Sequence, residues 1–258
     1  MVYIIYSVVA ILATTIGSIT GLGGGVIMKP MFDLVGLHTP AQIGLYSSVA
    51  VFVMCVVSLY KQIKKGIKIH FQQVILISIG SFIGGIIGEY FFNSIMNNFS
   101  NIKLIQSSLL TTILILTLIY TLKKKKIKSF KIKSSVVTFL LGIILGSVAV
   151  FLGIGGGPIN IAIFSLFFSL PMKDAVIYSL TTIFFSQVSK LLQATISGSF
   201  SIVDPMLVLC ICIAAILGGT IGTKINLKSS DNKVRKIYIY CLIGLILLSL
   251  TNVIISFI

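Results

Sequence analysis

The sequence predicts an all-α, multi-pass membrane protein made of two inverted repeats, each a helical hairpin with a glycine-rich tip followed by three spanning helices. Of the 258 residues, 57% are hydrophobic and 10% are charged, whereas soluble domains average about 45–50% apolar and about 25% charged residues. Two glycine clusters, at residues 21–25 and 153–157, interrupt strongly apolar sequence. The lysines concentrate in short stretches between the apolar segments.

An internal duplication relates the two halves of the chain. A shift of 132 positions superposes the two glycine clusters and aligns three further residues, Tyr46, Ser47 and Gly66, with Tyr178, Ser179 and Gly198. A shift two positions longer aligns the Gly-Gly-x-x-Gly pattern at 84–88 with that at 218–222. Ordered coincidences of this kind indicate a repeat. We therefore divide the chain into a first repeat (1–125), a basic linker (126–133) and a second repeat (134–258).

Each repeat contains five apolar segments. They cover 3–20, 26–37, 41–60, 73–96 and 104–122 in the first repeat, and 135–152, 158–170, 175–196, 203–223 and 237–257 in the second. A spanning helix needs about 20 apolar residues, so the segments that follow the glycine clusters are too short to cross a membrane. We expect half-helices there, with the glycines at the tips of hairpins that enter the membrane and leave on the same side. Two short full spans are the alternative.

The basic residues predict the orientation of the repeats. Four lysines at 61–68 follow the third segment of the first repeat, while the equivalent stretch at 194–202 contains no Lys or Arg. Conversely, five basic residues at 224–236 follow the fourth segment of the second repeat, where the first repeat offers only Lys103. Equivalent loops therefore face opposite sides, and the positive-inside rule places the linker in the cytoplasm and both termini outside.

The glycine clusters are the candidate binding site. Irregular backbone at membrane depth persists only where it is buried in protein or lines a cavity, and matching breaks in two halves indicate a secondary transporter's site. A helix start follows each cluster, and its free N–H groups and dipole attract anions. We therefore predict a compact oxyanion at Gly23, Gly24, Gly25, Gly155, Gly156 and Gly157. Close helix packing is the alternative, which we favour for the later Gly-Gly-x-x-Gly patterns.

Several side chains could complete this site. Hydroxyl and amide groups donate hydrogen bonds without adding charge, and the candidates are Ser47, Ser48, Asn160, Ser179, Thr181 and Thr182, although hydroxyls also bond locally to the preceding helical turn. Lys29 lies inside a short apolar segment and either lends positive charge to the site or extends toward water. For Lys190 we favour extension toward water. Glu89 is the carboxylate well inside a segment and is a candidate for proton coupling.

The sequence gives little support to other functions. The four cysteines lie in apolar runs without His or acidic neighbours at ligand spacing, so we predict no metal site, and no cofactor. There is no GxxxxGK[ST] phosphate-binding loop, and the lysines follow membrane topology rather than nucleic-acid binding. An anion channel and a membrane-embedded enzyme are the alternatives to a transporter. The enzyme would need a nucleophile and a base, which the two histidines near segment ends do not supply.

The motifs of the chain resemble a known family. The duplicated Gly-[Leu/Ile]-Gly-Gly-Gly cluster, the Tyr-Ser pair, the Lys64-Lys65-Gly66 stretch and the later Gly-Gly-x-x-Gly resemble TauE/SafE-type sulfite exporters over essentially the whole chain. The resemblance implies a secondary transporter of the bacterial plasma membrane that moves sulfite, organosulfonates or similar small anions, usually outward and with proton coupling. It places the substrate around both glycine clusters.

One position departs from the pattern of that family. Its glycine clusters typically continue toward a proline shortly afterwards, and the first repeat has Pro30 there. The second repeat has Ala162 at the equivalent position and an earlier proline, Pro158. We therefore expect the two half-sites to differ.

Overall fold

The structure is a computed structural model that describes residues 2–66, 71–98, 102–124, 127, 129–132, 134–154 and 156–257. Within these residues it contains ten α-helices, a short 3₁₀ helix (Ser199–Ile202) and no β-strand. In chain order the helices are α1 (Val2–Thr20), α2 (Gly25–Val35), α3 (Pro40–Lys64), α4 (Phe71–Asn98), α5 (Ile102–Lys123), α6 (Ser135–Leu152), α7 (Gly157–Phe167), α8 (Met172–Ile196), α9 (Pro205–Lys228) and α10 (Asp231–Phe257). The predicted all-helical fold is confirmed.

Helix lengths separate spanning helices from half-helices. In the described residues, eight helices are long and apolar enough to cross a membrane, namely all except α2 and α7. These two have 11 residues each, which at about 1.5 Å per residue covers only about half of a 30 Å hydrocarbon core. Both follow a glycine cluster, as expected. The first arm of each hairpin is longer, since α1 has 19 residues and α6 has 18.

The helices pack in pairs that repeat between the two halves. α4 packs on α6 as α1 packs on α9, and α3 packs on α9 as α8 packs on α4. The contacts of α3 with α8 and of α5 with α10 join equivalent helices of the two halves. When α1–α5 are matched in order with α6–α10, each of these helix contacts therefore corresponds to another contact of the same set. This is the pattern expected if a two-fold axis relates the repeats.

α3 and α8 form the centre of the bundle. In the apolar stretch of α3, 61% of the residues are buried, and in that of α8 72% are buried. The corresponding value for α10, at the periphery, is 22%. Phe52 of α3 stacks on Phe184 of α8 with ring centroids 5.4 Å apart. These two residues are equivalent in the duplication, so the stack marks the middle of the bundle.

One end of the bundle, which we call the Pro40 end, gathers the first residues of α1, α3 and α9. The Tyr3 hydroxyl donates to the Asp204 carboxylate at 2.6 Å, and Gln42 Nε2 donates to the Ile202 carbonyl, beyond the end of α8, at 2.7 Å. The hydrogen bond from Tyr3 holds the pKa of Asp204 below its ordinary value. Asp204 also caps α9 by accepting a backbone N–H at 2.9 Å.

The opposite end, which we call the Asp231 end, gathers the first residues of α8 and α10. The Asp231 carboxylate accepts the N–H groups of Met172 and Lys173 at 3.0 and 3.3 Å. Lys173 Nζ donates to the Leu227 carbonyl near the end of α9 at 3.3 Å. α9 therefore runs from the Pro40 end to the Asp231 end.

The two repeats begin at opposite ends of the bundle. α1 starts beside Asp204 at the Pro40 end. The stretch before α6 lies at the Asp231 end, where the Phe130 N–H donates to the Leu166 carbonyl at 2.9 Å, shortly before α8 begins. Inverted repeats would produce contacts of this kind, and the inversion itself stays a prediction. The orientation of the repeats across a membrane stays a prediction.

Candidate functional site

The two glycine tips meet in the middle of the bundle. A Cβ atom added to Gly25 would lie 2.9 Å from the Ile154 carbonyl oxygen and 3.2 Å from the side chain of Val51, in the middle of α3. A Cβ atom added to Gly157 would lie 1.9 Å from the Leu22 carbonyl oxygen. Gly25 and Gly157 are equivalent, as are Leu22 and Ile154, so the contact is reciprocal. The tips pack backbone against backbone, which requires glycine at both positions.

The backbone of both tips leaves the helical conformation as the sequence predicts. Gly23, Gly24 and Gly156 have φ angles of 78°, 48° and 69°, in the left-handed region that favours glycine. α2 and α7 begin directly after these residues, so each tip presents a helix N-terminus. Gly155 lies outside the described residues.

Ser47 and Ser179 hold the tips in place. The Ser179 hydroxyl donates to the Gly21 carbonyl at 2.7 Å. The Ser47 hydroxyl is shared between the Gly44 carbonyl of its own helix at 3.1 Å and the Gly153 carbonyl at 3.3 Å. The two serines are equivalent residues of α3 and α8, and each binds the tip of the other repeat. Their hydroxyls donate to the tips in this conformation. Their role as anion ligands stays a prediction.

The other predicted hydroxyls bond locally. Ser48, Thr181 and Thr182 each donate to the carbonyl oxygen four residues earlier, at 2.6, 3.0 and 2.8 Å. Hydroxyls in helices commonly make this bond. These three side chains are buried near the tips, and their role as ligands also stays a prediction.

Asn160 differs from these residues because its polar atoms have no partner. The side chain is fully buried, and neither Nδ2 nor Oδ1 has a hydrogen-bond partner among the described residues. Oδ1 lies 3.4 Å from the place that a Cβ on Gly156 would occupy. Asn160 therefore keeps its full hydrogen-bonding capacity beside the tip of the second repeat.

A cavity of about 170 Å³ lies beside the tip of the second repeat, on the side of the Pro40 end. Its lining includes Lys29 of α2, Gly44 of α3, Glu89 of α4, Gly153 of the tip and Lys190 of α8. We call it the lysine cavity. The two lysines are only 6% and 4% exposed, so their charges lie inside the bundle. Two cations and one carboxylate in a confined space give a net attraction for anions.

Lys29 binds the carboxyl-terminal end of α6. Its Nζ donates to the Leu152 carbonyl at 2.7 Å and to Gln106 Oε1 at 2.5 Å. Gln106 Nε2 in turn donates to the Phe151 carbonyl at 2.6 Å. A Cβ on Gly153 would lie 3.2 Å from Lys29 Nζ, so glycine lets the lysine approach. Lys29 thus stabilises the negative end of the α6 dipole, which offsets part of its charge.

Lys190 has fewer partners than Lys29. Its Nζ lies 5.8 Å from the centroid of the Phe92 ring and 3.2 Å from the place of a Cβ on Gly44. The described residues offer Nζ no hydrogen bond. Glu89 lines the same cavity, and its Oε2 is buried without a hydrogen-bond partner among the described residues. Lys190 is therefore the cation with most capacity left for an anion.

The rest of the bundle offers weaker candidates for the site. A larger groove of about 550 Å³ lies at the Asp231 end, but its lining, which includes Gln73, Lys131 and Thr138, contains no tip residue. In the part of the chain that the structure describes, no three His, Cys, Asp or Glu side chains group closely enough to hold a metal ion. The lysine cavity therefore remains the candidate site.

Sequence reasoning missed Gln106 and did not place Lys190 in the site. The duplication marks Lys190, because the equivalent residue in the first repeat is the uncharged Ser58. Gly44, which leaves space for the Lys190 ammonium group, is likewise equivalent to a larger residue, Val176. Both positions break the repeat pattern, and the structure brings them together. Gln106 reaches the site from α5, and no motif marks it.

Comparison with known proteins identifies the family. A family model described as Sulfite exporter TauE/SafE matches residues 6–249, which include both tips and the lysine cavity. The chain belongs to the TauE/SafE sulfite exporter family. It is 28% identical over 255 residues to “Probable membrane transporter protein YunE” of Bacillus subtilis (strain 168), covering 88% of this chain and 90% of that protein.

A second relative comes from an archaeon. The chain is 27% identical over 242 residues to “Probable membrane transporter protein MJ0441” of Methanocaldococcus jannaschii, covering 88% of each. No solved structure matches the chain significantly. As a member of the TauE/SafE family, the chain is a multi-pass membrane transporter. The resemblance drawn from the glycine motifs is confirmed.

Proposed function

We propose that this TauE/SafE family member is a secondary transporter that exports small sulfur-containing anions, such as sulfite or organosulfonates. Transport proceeds by alternating access and is coupled to the proton gradient. The observation that carries the proposal is the lysine cavity, in which two buried lysines and one carboxylate lie beside a glycine tip.

Lys190 is the main anion ligand in this proposal. A buried ammonium group without hydrogen-bond partners is costly, so an anion that enters the lysine cavity stabilises it. Lys29 adds a second positive charge while it remains bound to the end of α6. Asn160 and the glycine N–H groups bind the anion as it passes the tips.

Glu89 couples transport to protons. Its carboxylate lines the same cavity as the two lysines, and a negative charge there opposes the binding of an anion. Protonation of Glu89 removes this repulsion, so the proton and the anion each favour the binding of the other and cross together. Net export then requires an outward anion gradient that exceeds the inward proton gradient. The coupling needs no direct contact between Glu89 and the substrate.

The ends of the bundle give the proposed orientation. Basic side chains crowd the Asp231 end, where the helix ends and adjoining stretches carry Lys61, Lys64, Lys65, Lys123, Lys124, Lys173, Lys228, Lys233 and Arg235. The positive-inside rule assigns this end to the cytoplasm. Both termini, and the mouth of the lysine cavity, then face the outside of a cell membrane. In alternating access the two repeats rock around the tips.

Anion flux in proteoliposomes tests the proposal. Vesicles are loaded with sulfite, a pH gradient is imposed, and efflux is followed with sulfate, thiosulfate and short sulfonates as competitors. We expect saturable sulfite flux that follows the gradient. In Glu89→Gln, saturable flux should persist while its dependence on the gradient is lost. Asp174→Asn, at the start of α8, is the matched control and should keep that dependence.

Other outcomes would redirect the proposal. Flux that neither saturates nor responds to competitors would indicate an anion channel. The absence of flux for all of these anions, from protein shown to be folded, would reject the substrate class. A Glu89→Gln variant that still follows the gradient would remove Glu89 from the coupling.

A further inference from the structure

The duplication gives three residues that line the lysine cavity an equivalent toward the Asp231 end. Ser58 is equivalent to Lys190 and Gln62 to Ala194, at a shift of 132 positions. Thr223 is equivalent to Glu89 at the shift of 134 positions that relates α4 to α9. These three residues, with Asn226, form what we call the polar counterpart. They lie toward the Asp231 end of α3 and α9.

Contacts with α1 bring Ser58 and Asn226 of the polar counterpart together. The Ser58 hydroxyl donates to the Ser18 hydroxyl of α1 at 3.0 Å. Asn226 Nδ2 donates to the carbonyl of Ile19, the next residue of α1, at 2.6 Å. A Cβ on Gly222 would lie 2.9 Å from Ser18 Cβ, which places the Thr223 turn of α9 beside the same helix. The cluster therefore joins α1, α3 and α9.

The polar counterpart is closed where the lysine cavity is open. Ser58, Gln62, Thr223 and Asn226 are all at most 1% exposed. Beside the tip of the first repeat, two apolar residues occupy the positions equivalent to Lys29 and Gly44. These are Ile161 and Val176, which approach Gly21 so closely that a Cβ there would lie 3.0 Å from Ile161 Cδ1 and 2.9 Å from Val176 Cα.

Three atoms of this closed cluster have unmet hydrogen-bonding capacity. Gln62 Nε2 and Oε1 and Thr223 Oγ1 are buried and have no hydrogen-bond partner among the described residues. Buried polar groups are nearly always paired, and an unpaired one destabilises the state that contains it. A conformation that opens the cluster to water or to a polar ligand would relieve this cost.

We infer that the polar counterpart is a second anion half-site, which opens to the Asp231 end when the lysine cavity closes. The inference rests on the proposed function, since it assumes alternating access. Its ligand is the same small oxyanion, held by the Gln62 amide and by the Thr223 and Ser58 hydroxyls. When two related halves rock, each repeat adopts the conformation that the other repeat had before. Equivalent positions of the two repeats therefore line the two access routes.

The chemistry of the two half-sites differs in one respect that can be measured. The lysine cavity offers charged donors, whereas the donors of the polar counterpart are neutral. Charge-assisted hydrogen bonds are stronger than neutral ones. The transporter therefore binds its anion more weakly from the Asp231 end than from the Pro40 end.

Flux measured separately from each end tests the half-site. Right-side-out and inside-out vesicles present opposite ends, and labelling of Ser199→Cys at the mouth of the lysine cavity identifies the preparation that exposes the Pro40 end. Gln62→Leu removes the amide while keeping an apolar side chain of similar size. It should raise the KM for sulfite about tenfold at the Asp231 end and leave the KM at the Pro40 end unchanged. Thr14→Val, equally buried on α1, is the control.

A labelling experiment measures whether the same half-site becomes accessible to water, without any anion present. The four native cysteines are replaced, Thr223→Cys is introduced, and a membrane-impermeant maleimide is applied to each vesicle preparation. We expect reaction only in vesicles that expose the Asp231 end, at a rate well above that of Thr14→Cys. Thr223→Cys nearly preserves the volume of the side chain. It therefore tests the half-site even if Gln62→Leu fails to fold.

Two results would overturn the half-site. One is a Thr223→Cys variant no more reactive than Thr14→Cys while Ser199→Cys reacts. The other is a Gln62→Leu variant with an unchanged KM at the Asp231 end. Failure of the proposed function is distinguishable, because the native chain would then carry no sulfite from either end while the labelling pattern could still be read.

Discussion

At Gly153 the tip of the second repeat faces Lys29 and lies close to Gly44, whereas at Gly21 the equivalent positions hold Ile161 and Val176. The backbone around the two tips is similar, since each lies against the first residue of the opposite half-helix. The side chains differ in charge and size. One side encloses a cavity with three ionisable groups, and the other is closed by apolar side chains.

This difference separates what the duplication preserves from what it does not. Both repeats keep the parts that require close backbone contact, namely the glycines and the serines that bind the opposite tip. Charge is present on one side only. The tip geometry is therefore a shared scaffold, and anion recognition depends on a few positions where the repeats have diverged. Substitutions can alter these two properties separately.

The largest effect is expected where the tips touch. Gly157→Ala places a methyl group 1.9 Å from the Leu22 carbonyl oxygen, and backbone on both sides cannot move aside without separating the tips. Overpacking usually costs about 1–3 kcal/mol, and we expect this variant to exceed that range and to lose sulfite flux. Gly25→Ala meets the Ile154 carbonyl at 2.9 Å and should be less severe. Thermal unfolding in detergent and sulfite flux measure both.

A glycine without close neighbours provides the control for these variants. Gly244 of α10 has no atom within 4 Å of the place that a methyl group would occupy, so Gly244→Ala should be silent in both measurements. Wild-type flux in Gly157→Ala would contradict the packing of the tips. An equal loss in Gly244→Ala would show that the assay reports general sensitivity of the fold.

A smaller and more selective effect is expected when the lysine cavity is made to resemble its counterpart. Lys190→Ser introduces the residue found at the equivalent position, Ser58. Loss of a hydrogen bond to a charged ligand costs about 1.5–3 kcal/mol, so the KM for sulfite at the Pro40 end should rise roughly 10- to 100-fold. The melting temperature should fall only slightly, because Lys190 makes no hydrogen bond within the described residues and loses only its electrostatic attraction to Glu89.

An exposed lysine serves as the matched control for charge. Lys224 of α9 is exposed, and Lys224→Ser removes the same charge without altering the cavity. If both variants weakened transport equally, a general electrostatic effect would replace the proposed contact. If Lys190→Ser lowered the melting temperature and left the KM unchanged, Lys190 would be a structural residue.

Much of the fold follows from local patterns, and the exceptions have nonlocal causes. The glycine clusters and apolar lengths predict the tips and the half-helices, because both depend on neighbouring residues. The prediction begins α8 at 175, but the helix begins at Met172 because the Asp231 carboxylate accepts N–H groups of its first turn. Likewise α9 continues to Lys228, since Asn226 bonds to the Ile19 carbonyl of α1.

The candidate site shows the same division. The tip glycines could be located from sequence because their spacing repeats. The position of Lys190 in the cavity depends on the crossing of α3 and α8, which brings Gly44 against its ammonium group. Lys29 meets Gln106 across 77 positions of sequence. Neither pairing has a sequence period, so only the packed structure reveals them.

The smallest effect is expected for the serines, which also decide between two roles for a hydroxyl. Ser179→Ala removes a bond of 2.7 Å to Gly21, and Ser47→Ala removes one of 3.3 Å to Gly153. A neutral hydrogen bond contributes about 1 kcal/mol, so each should lower the melting temperature slightly, Ser179→Ala more, with little change in KM. Ser48→Ala, whose hydroxyl bonds within its own helix, is the control. A raised KM at an unchanged melting temperature would instead make these hydroxyls ligands of the anion, shared by both repeats despite their difference in charge.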